Sequence, residues 1–100
     1  MLFLTQFVYV YPGKETTFHA FEEIALPLIA KHGGDLLLRV RPTSDSVVAA
    51  SIAIPYEIHL VCFSSEEDLR AFSEDEARQR VLHMKNESVR ATILVQGTSI

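Results

Sequence analysis

The sequence predicts an antiparallel α+β fold, and three observations carry that reading. Four stretches rich in Val, Leu, Ile, Phe and Tyr read as strands: Leu2 to Tyr11, Asp35 to Arg41, Tyr56 to Phe63 and Arg90 to Gln96. Two stretches with apolar residues at helical spacing lie between the first and second strands and between the third and fourth. Turn pairs and capping signals fall at the ends of these segments.

The first strand ends at Pro12-Gly13, a turn pair. The first helix runs from about Lys14 to Lys31. Phe18, Phe21, Ala25, Leu28, Ile29 and His32 form its apolar face, and Gly33 and Gly34 stop it. Pro27 cannot donate its backbone hydrogen bond to Glu23, so a bend is expected there. The second strand ends at Pro42, and Thr43 to Ser46 is polar and turn-like. Val47 to Ile54 is an uncharged apolar run closed by Pro55. Such a run is costly to leave in water, so we expect a strand-like arm that pairs with or packs on a second subunit. The second helix opens at Ser64, with Glu67 at capping-box spacing, and directs Leu69 and Phe72 inward. Ser73 and Glu76 repeat that spacing, which predicts a break near Ser73 and a restart to about Asn86, with Ala77, Val81 and Met84 inward. The order β-α-β-β-α-β is the ferredoxin-like pattern, a sheet with both helices on one face.

Composition bounds the function. The 100 residues are 48% hydrophobic and 22% charged, with 4 Gly and 4 Pro, which describes one globular domain over 1–100. A chain of this size is expected to bury a core but no deep pocket of its own. The net charge of -4 excludes a broad basic surface, so neither nucleic acid nor an anionic membrane is an expected partner. RNA-recognition domains share the topology, but Glu57 and His59 stand where their strand signature needs glycines. Cys62, the single cysteine, permits no internal disulfide, thiolate zinc site or paired-cysteine metal carrier, and fits a cytoplasmic location. Met1 to Val10 has no basic residue before Lys14 and no cleavage site after it, so it reads as a strand and not a leader. No apolar run approaches the roughly 20 residues that span a bilayer.

Period-two alternation assigns the sheet faces. The more apolar sets, Leu36, Leu38 and Val40; Tyr56, Ile58, Leu60 and Cys62; and Ala91, Ile93 and Val95, are expected under the helices with Val8 and Val10. The opposite face then holds Phe7, Tyr9, Tyr11, Leu37, Val61, Phe63 and Leu94 together with Arg39, Arg41, Glu57, His59 and Thr92. A monomer rarely leaves such a face in water, so a homodimer joined through it is expected. Its mixed aromatic and polar lining is that of a ligand cavity between sheet and partner.

On that face His59 is the candidate catalytic residue, a general base or ligand anchor; a histidine hydrogen-bonded in a dimer cavity without chemistry is the competing reading. Arg39 and Arg41 are candidate carboxylate or phosphate ligands, or else partners of Glu57; Tyr9 and Glu57 complete the candidate site. His19, Glu22 and Glu23 have spacing that permits a metal, but with no second ligand cluster they read as a solvated helix face. His83, among Arg78, Arg80 and Lys85, reads as surface, and Cys62 as an inert thiol under the helices. There is no glycine-rich phosphate loop, nucleophile elbow or metalloprotease helix, so neither cofactor nor metal is expected.

Two phrases, Tyr9-Val10-Tyr11-Pro12-Gly13-Lys14 and the helix end from Ala25 to Gly34, resemble a small family of uncharacterised domains in the dimeric α/β-barrel superfamily. Val61 to Phe72 and Ser73 to Glu76 also fit it, whereas Pro42 to Pro55 is longer and more apolar than the family pattern. The resemblance implies two ferredoxin-like subunits facing their sheets together into a barrel. The superfamily includes cofactor-independent monooxygenases of aromatic polyketides, muconolactone isomerases, haem-degrading enzymes and proteins with no known activity. The functional expectation is a homodimer that binds or transforms a small aromatic or carboxylate metabolite. The alternative is a non-catalytic structural or regulatory homodimer.

Overall fold

The computed structural model describes residues 1–99. The chain forms β1 (Leu2–Val10), α1 (Glu15–Ala25), α2 (Pro27–Lys31), β2 (Gly34–Val40), a 3₁₀ turn (Ser44–Ser46), β3 (Glu57–Phe63), α3 (Glu66–Glu74), α4 (Glu76–Ser88) and β4 (Val89–Thr98). The strands form one antiparallel sheet in the order β2-β3-β1-β4. This is the expected ferredoxin-like order, with each helix divided in two. Its extents of 36 × 36 × 16 Å are those of a slab, one layer of helices on one sheet. Among the described residues no helix is long and apolar enough to cross a membrane.

The divisions follow from local chemistry. Pro27 does more than bend the first helix: it starts a separate one, because a proline N–H is missing where helix 1 would need it. Ser65, not Ser64, caps α3, its Oγ accepting from the Asp68 N–H at 3.1 Å. Asp75, not Ser73, restarts the chain as α4, accepting from the Ala77 N–H at 2.8 Å. The same carboxylate holds Lys31 and His32 at 2.7 Å each, which ties the end of α2 to the start of α4. Gly33 ends α2 with φ +74, and Gly34 lets β2 approach so closely that an added Cβ would lie 2.6 Å from the Phe63 ring.

The register reverses most of the expected faces. Leu4, Gln6 and Val8 on β1 pair with Val61, His59 and Glu57 on β3, and with Gln96, Leu94 and Thr92 on β4. This set lies under the helices, where Ile29, Val61 and Phe63 form the core with Leu4, Leu26, Leu36, Leu69 and Phe72 around them. Ile58, Leu60, Cys62, Ala91, Ile93 and Val95 therefore lie on the open side, opposite to expectation, beside Phe3, Thr5, Phe7 and Tyr9. In β2 the register shifts between Leu36 and Leu38. The extra residue of this bulge turns Leu38 and Val40 outward and brings Arg39 opposite His59.

The expected arm is not a strand. Among the described residues none of 47–55 joins the sheet. After the 3₁₀ turn the chain lies along the open side of its own subunit, over Phe7 and Ile58. The Tyr9 hydroxyl donates to the Ala53 carbonyl and the Tyr56 N–H to the Val8 carbonyl, both at 2.8 Å. Such anchors let an irregular segment hold its place without ladder bonds, yet Val48, Ile52 and Ile54 stay exposed.

Candidate functional site

Where α1 crosses the middle of the sheet, five ionisable side chains meet. His59 Nε2 donates to Glu57 Oε2 at 2.5 Å and faces Glu22 Oε2 at 3.1 Å. Arg39 Nη2 donates to Glu22 Oε1 at 2.8 Å, and its Nε lies 3.2 Å from Glu57 Oε1. Arg41 Nε donates to the same Glu57 oxygen at 2.8 Å. Glu22, Glu57 and His59 are buried; the two arginines come in from the solvent side with partly exposed side chains. Buried charges need such partners, and here every one has them.

Burial alone would lower the His59 pKa, but its hydrogen bonds to Glu22 and Glu57 and their negative charge outweigh burial and raise it to about 9. Burial also favours the neutral form of Glu57, yet the hydrogen bonds from His59 and Arg41 hold its carboxyl well below the usual range. Glu22 goes the other way: burial and the neighbouring Glu57 charge raise it, against the pull of His59 and Arg39. The group therefore keeps the Glu57 carboxylate and the His59 imidazolium at neutral pH, with Glu22 the easier of the two acids to protonate. His59 enters any chemistry as an acid or hydrogen-bond donor, and becomes a base only after giving up its proton.

Glu22, Glu57 and His59 each bring a ligand atom within 4.8 Å of the others, which is also the spacing of a metal site. The donor set is already engaged by cations. Arg39 and Arg41 lie on the carboxylates that a metal would need, so an added divalent ion would face two guanidinium charges.

His59 and Glu22 also line a cavity of about 110 Å³ between sheet and helices. A pocket inside one subunit was not expected from a chain of this length. Its walls are mostly apolar: Leu4, Val8 and Val61 from the sheet, Phe18, Phe21 and Ala25 from α1, and Leu69 and Phe72 from α3. Thr92 and Leu94 of the edge strand β4 are exposed and mark its open end.

The structure thus brings together four of the sequence-derived candidates, Arg39, Arg41, Glu57 and His59, but under the helices and not on the open face. Tyr9 is not with them. It lies on the open side, under the Arg90 guanidinium at 5.3 Å, and shares only a surface recess with Arg41. Glu22, read as solvated, is the member the sequence reading missed. It stands within the stripe Phe18, Phe21, Ala25 and Ile29, and that position is the signal that marks it as inward. His19 instead stacks on Tyr56 and meets its hydroxyl at 2.5 Å, and Glu23 is exposed. Cys62 is buried, as expected, but on the open side.

No family model and no curated protein sequence matches the chain. Solved structures do. A protein of unknown function from Rhodopseudomonas palustris is similar with TM-score 0.81 at 10% identity, over 99% of this chain and 82% of that one. A candidate antibiotic biosynthesis monooxygenase from Nitrosomonas europaea is similar with TM-score 0.76 at 10% identity, over 100% and 99%. A dimeric ferredoxin-like protein of unknown function from Jannaschia sp. CCS1 is similar with TM-score 0.71 at 17% identity, over 98% of each chain. At these identities the likeness establishes the ferredoxin-like α+β fold, and the fold alone.

Proposed function

We propose that the protein is a homodimer of two sheets packed face to face, and that each subunit takes a small, largely apolar metabolite into the cavity between its own sheet and helices. His59 is the proposed catalytic group there. Glu57, with Arg39 and Arg41 bound to it, is proposed to hold the imidazole in place and in its charged form. The observation that carries this reading is a cavity with apolar walls that ends on an imidazole clamped by two carboxylates. The apolar open side, the exposed segment 47–55 and the dimeric neighbour from Jannaschia support the assembly.

A second reading, a structural or regulatory dimer without chemistry, is favoured by one feature. The charges of the cluster already satisfy one another, as in a polar core. Titration with benzyl alcohol, followed through the His59 imidazole NMR signals, separates the two. A saturable shift is expected from the cavity reading. Unmoved signals in an intact dimer would leave the second.

A further inference from the structure

Two cations face the same cavity with no ion-pair partner among the described residues. Arg78 and Lys85 lie seven residues apart, two turns along α4, and both line the cavity that His59 lines. Arg78 is held between aromatic rings, its guanidinium 5.8 Å from the Phe21 centroid and 5.3 Å from Phe72. Among the described residues its guanidinium makes one hydrogen bond, a long one, Nη1 to the Ser73 carbonyl at 3.3 Å. Its Nε is buried and finds no acceptor among the described residues. Burial lowers the pKa of Arg78, with no carboxylate to oppose it. Burial and then the Arg78 charge lower that of Lys85.

The contrast with the other cations is chemical. Arg39 and Arg41 are bound to Glu22 and Glu57 at 2.8 Å each and have little left to offer an anion. Arg80 points at Glu76 on the exposed side of α4. Arg78 sits against Phe21 and Phe72 with the Lys85 charge near enough to oppose it, and an acceptor bound by both removes that cost. Guanidinium and carboxylate also match in shape and hydrogen-bonding geometry.

We infer that Arg78 and Lys85 form an anion-recognition end of the cavity, and that its ligand is a small monocarboxylate with an apolar, ring-sized body. The inference rests on the cavity reading above and names the class of ligand. The carboxylate meets Arg78 and Lys85, and the body fills the apolar space toward His59. A cavity of about 150 Å³ holds benzene elsewhere, so about 110 Å³ with one open end suits a body of one ring or a short branched chain.

Calorimetric titration of the dimer with benzoate and with benzyl alcohol tests this. Benzoate is expected to bind at least about tenfold more tightly, a difference that one charge-assisted contact supplies. Arg78→Met and Lys85→Met should each remove that difference and leave benzyl alcohol binding in place. In the unaltered protein the Arg78 Nε–H resonance should move with benzoate and not with benzyl alcohol, a readout that needs no variant to fold. If the two probes bind the unaltered protein equally, or the Nε–H signal stays fixed under saturating benzoate, the anion site is overturned while the cavity reading survives. If the benzoate advantage outlasts both substitutions but disappears in Arg39→Met, the anion lies at the other arginines and this assignment falls. If neither probe binds, both readings fall together.

Discussion

The two sides of the sheet invert the usual expectation of inside and outside. The helix-facing side buries Glu57 completely and His59 to 6% exposure. The open side leaves Leu38 at 48%, Ile93 at 40% and Val95 at 60%. Hydropathy alone would exchange them. What decides is the supply of partners. Glu22 comes down from α1, Arg39 arrives through the β2 bulge and Arg41 follows it, so the charges of the Glu22–Glu57–His59 cluster are matched. The segment 47–55 covers part of the apolar side, over Phe7 and Ile58, but Leu38, Ile93 and Val95 stay open, and each 100 Å² of such surface left in water costs about 2.5 kcal/mol. The charged cluster finds its partners within the chain; the apolar side is the face that the proposed dimer would cover.

Removing a partner from the charged cluster should give the largest effect. Glu57→Ala leaves His59 and Arg39 with Glu22 alone and takes from Arg41 the carboxylate it is bound to, and the loss expected for breaking a buried charge network is about 3–5 kcal/mol. A urea midpoint unchanged from the parent would show that the cluster contributes nothing to the fold. The pH dependence should be next. The folded pKa of His59 is raised to about 9, above an unfolded value near 6.5. Its contribution is therefore fully present below about pH 6.5 and is lost as pH rises through about 9, on the order of 3 kcal/mol in all. Urea midpoints measured from pH 6 to 9.5 should fall, and His59→Gln should flatten the profile; a parent profile already flat would contradict the pairing.

A smaller effect tests how tightly the helix-facing side is packed. The Cβ of Gly34→Ala would meet the Phe63 ring at 2.6 Å and Ile29 at 2.8 Å, so overpacking of about 1–3 kcal/mol is expected. Phe63→Leu in the same chain should recover part of it, because the ring is one of the two obstacles. Strictly additive losses would place the strain elsewhere.

Element order was legible in the sequence because periodicity, Pro27 and the Gly33-Gly34 pair all point the same way, and the capping signals at Ser64 and Ser73 fell within one or two residues of the caps at Ser65 and Asp75. The faces were not, for two reasons. Both residue sets of β3 carry large apolar side chains, so alternation alone does not choose between them. One bulged residue in β2 then changes which side Leu38, Arg39 and Val40 occupy. Arg39, Arg41, Glu57 and His59 were nevertheless legible as a group. Neighbouring strands keep paired residues together whichever face they share. Glu22, Arg78 and Lys85 were missed because charge was read as exposure. Their spacing against Phe18 and Phe21, and against Val81, was the available signal.

The smallest change to the fold should produce the clearest change in assembly. Ile93 and Leu94 are neighbours on β4, both substantially exposed, and alternation places them on opposite sides. Ile93 pairs with Phe7 on the open side, and Leu94 pairs with Gln6 at the cavity's open end. In a single subunit either lysine substitution remains in water, and each should alter the fold by no more than about 0.5 kcal/mol. In a dimer of apposed sheets Ile93→Lys buries an unpaired ammonium group at the interface, whereas Leu94→Lys stays outside it. Sedimentation should then find Ile93→Lys monomeric with the helical circular dichroism of the parent, and Leu94→Lys still dimeric. Dissociation by Leu94→Lys alone would move the interface to the helix-facing edge and refute the apposed-sheet arrangement. The pair works as a test because the substitution, the strand and the approximate exposure are held constant and only the side of the sheet differs.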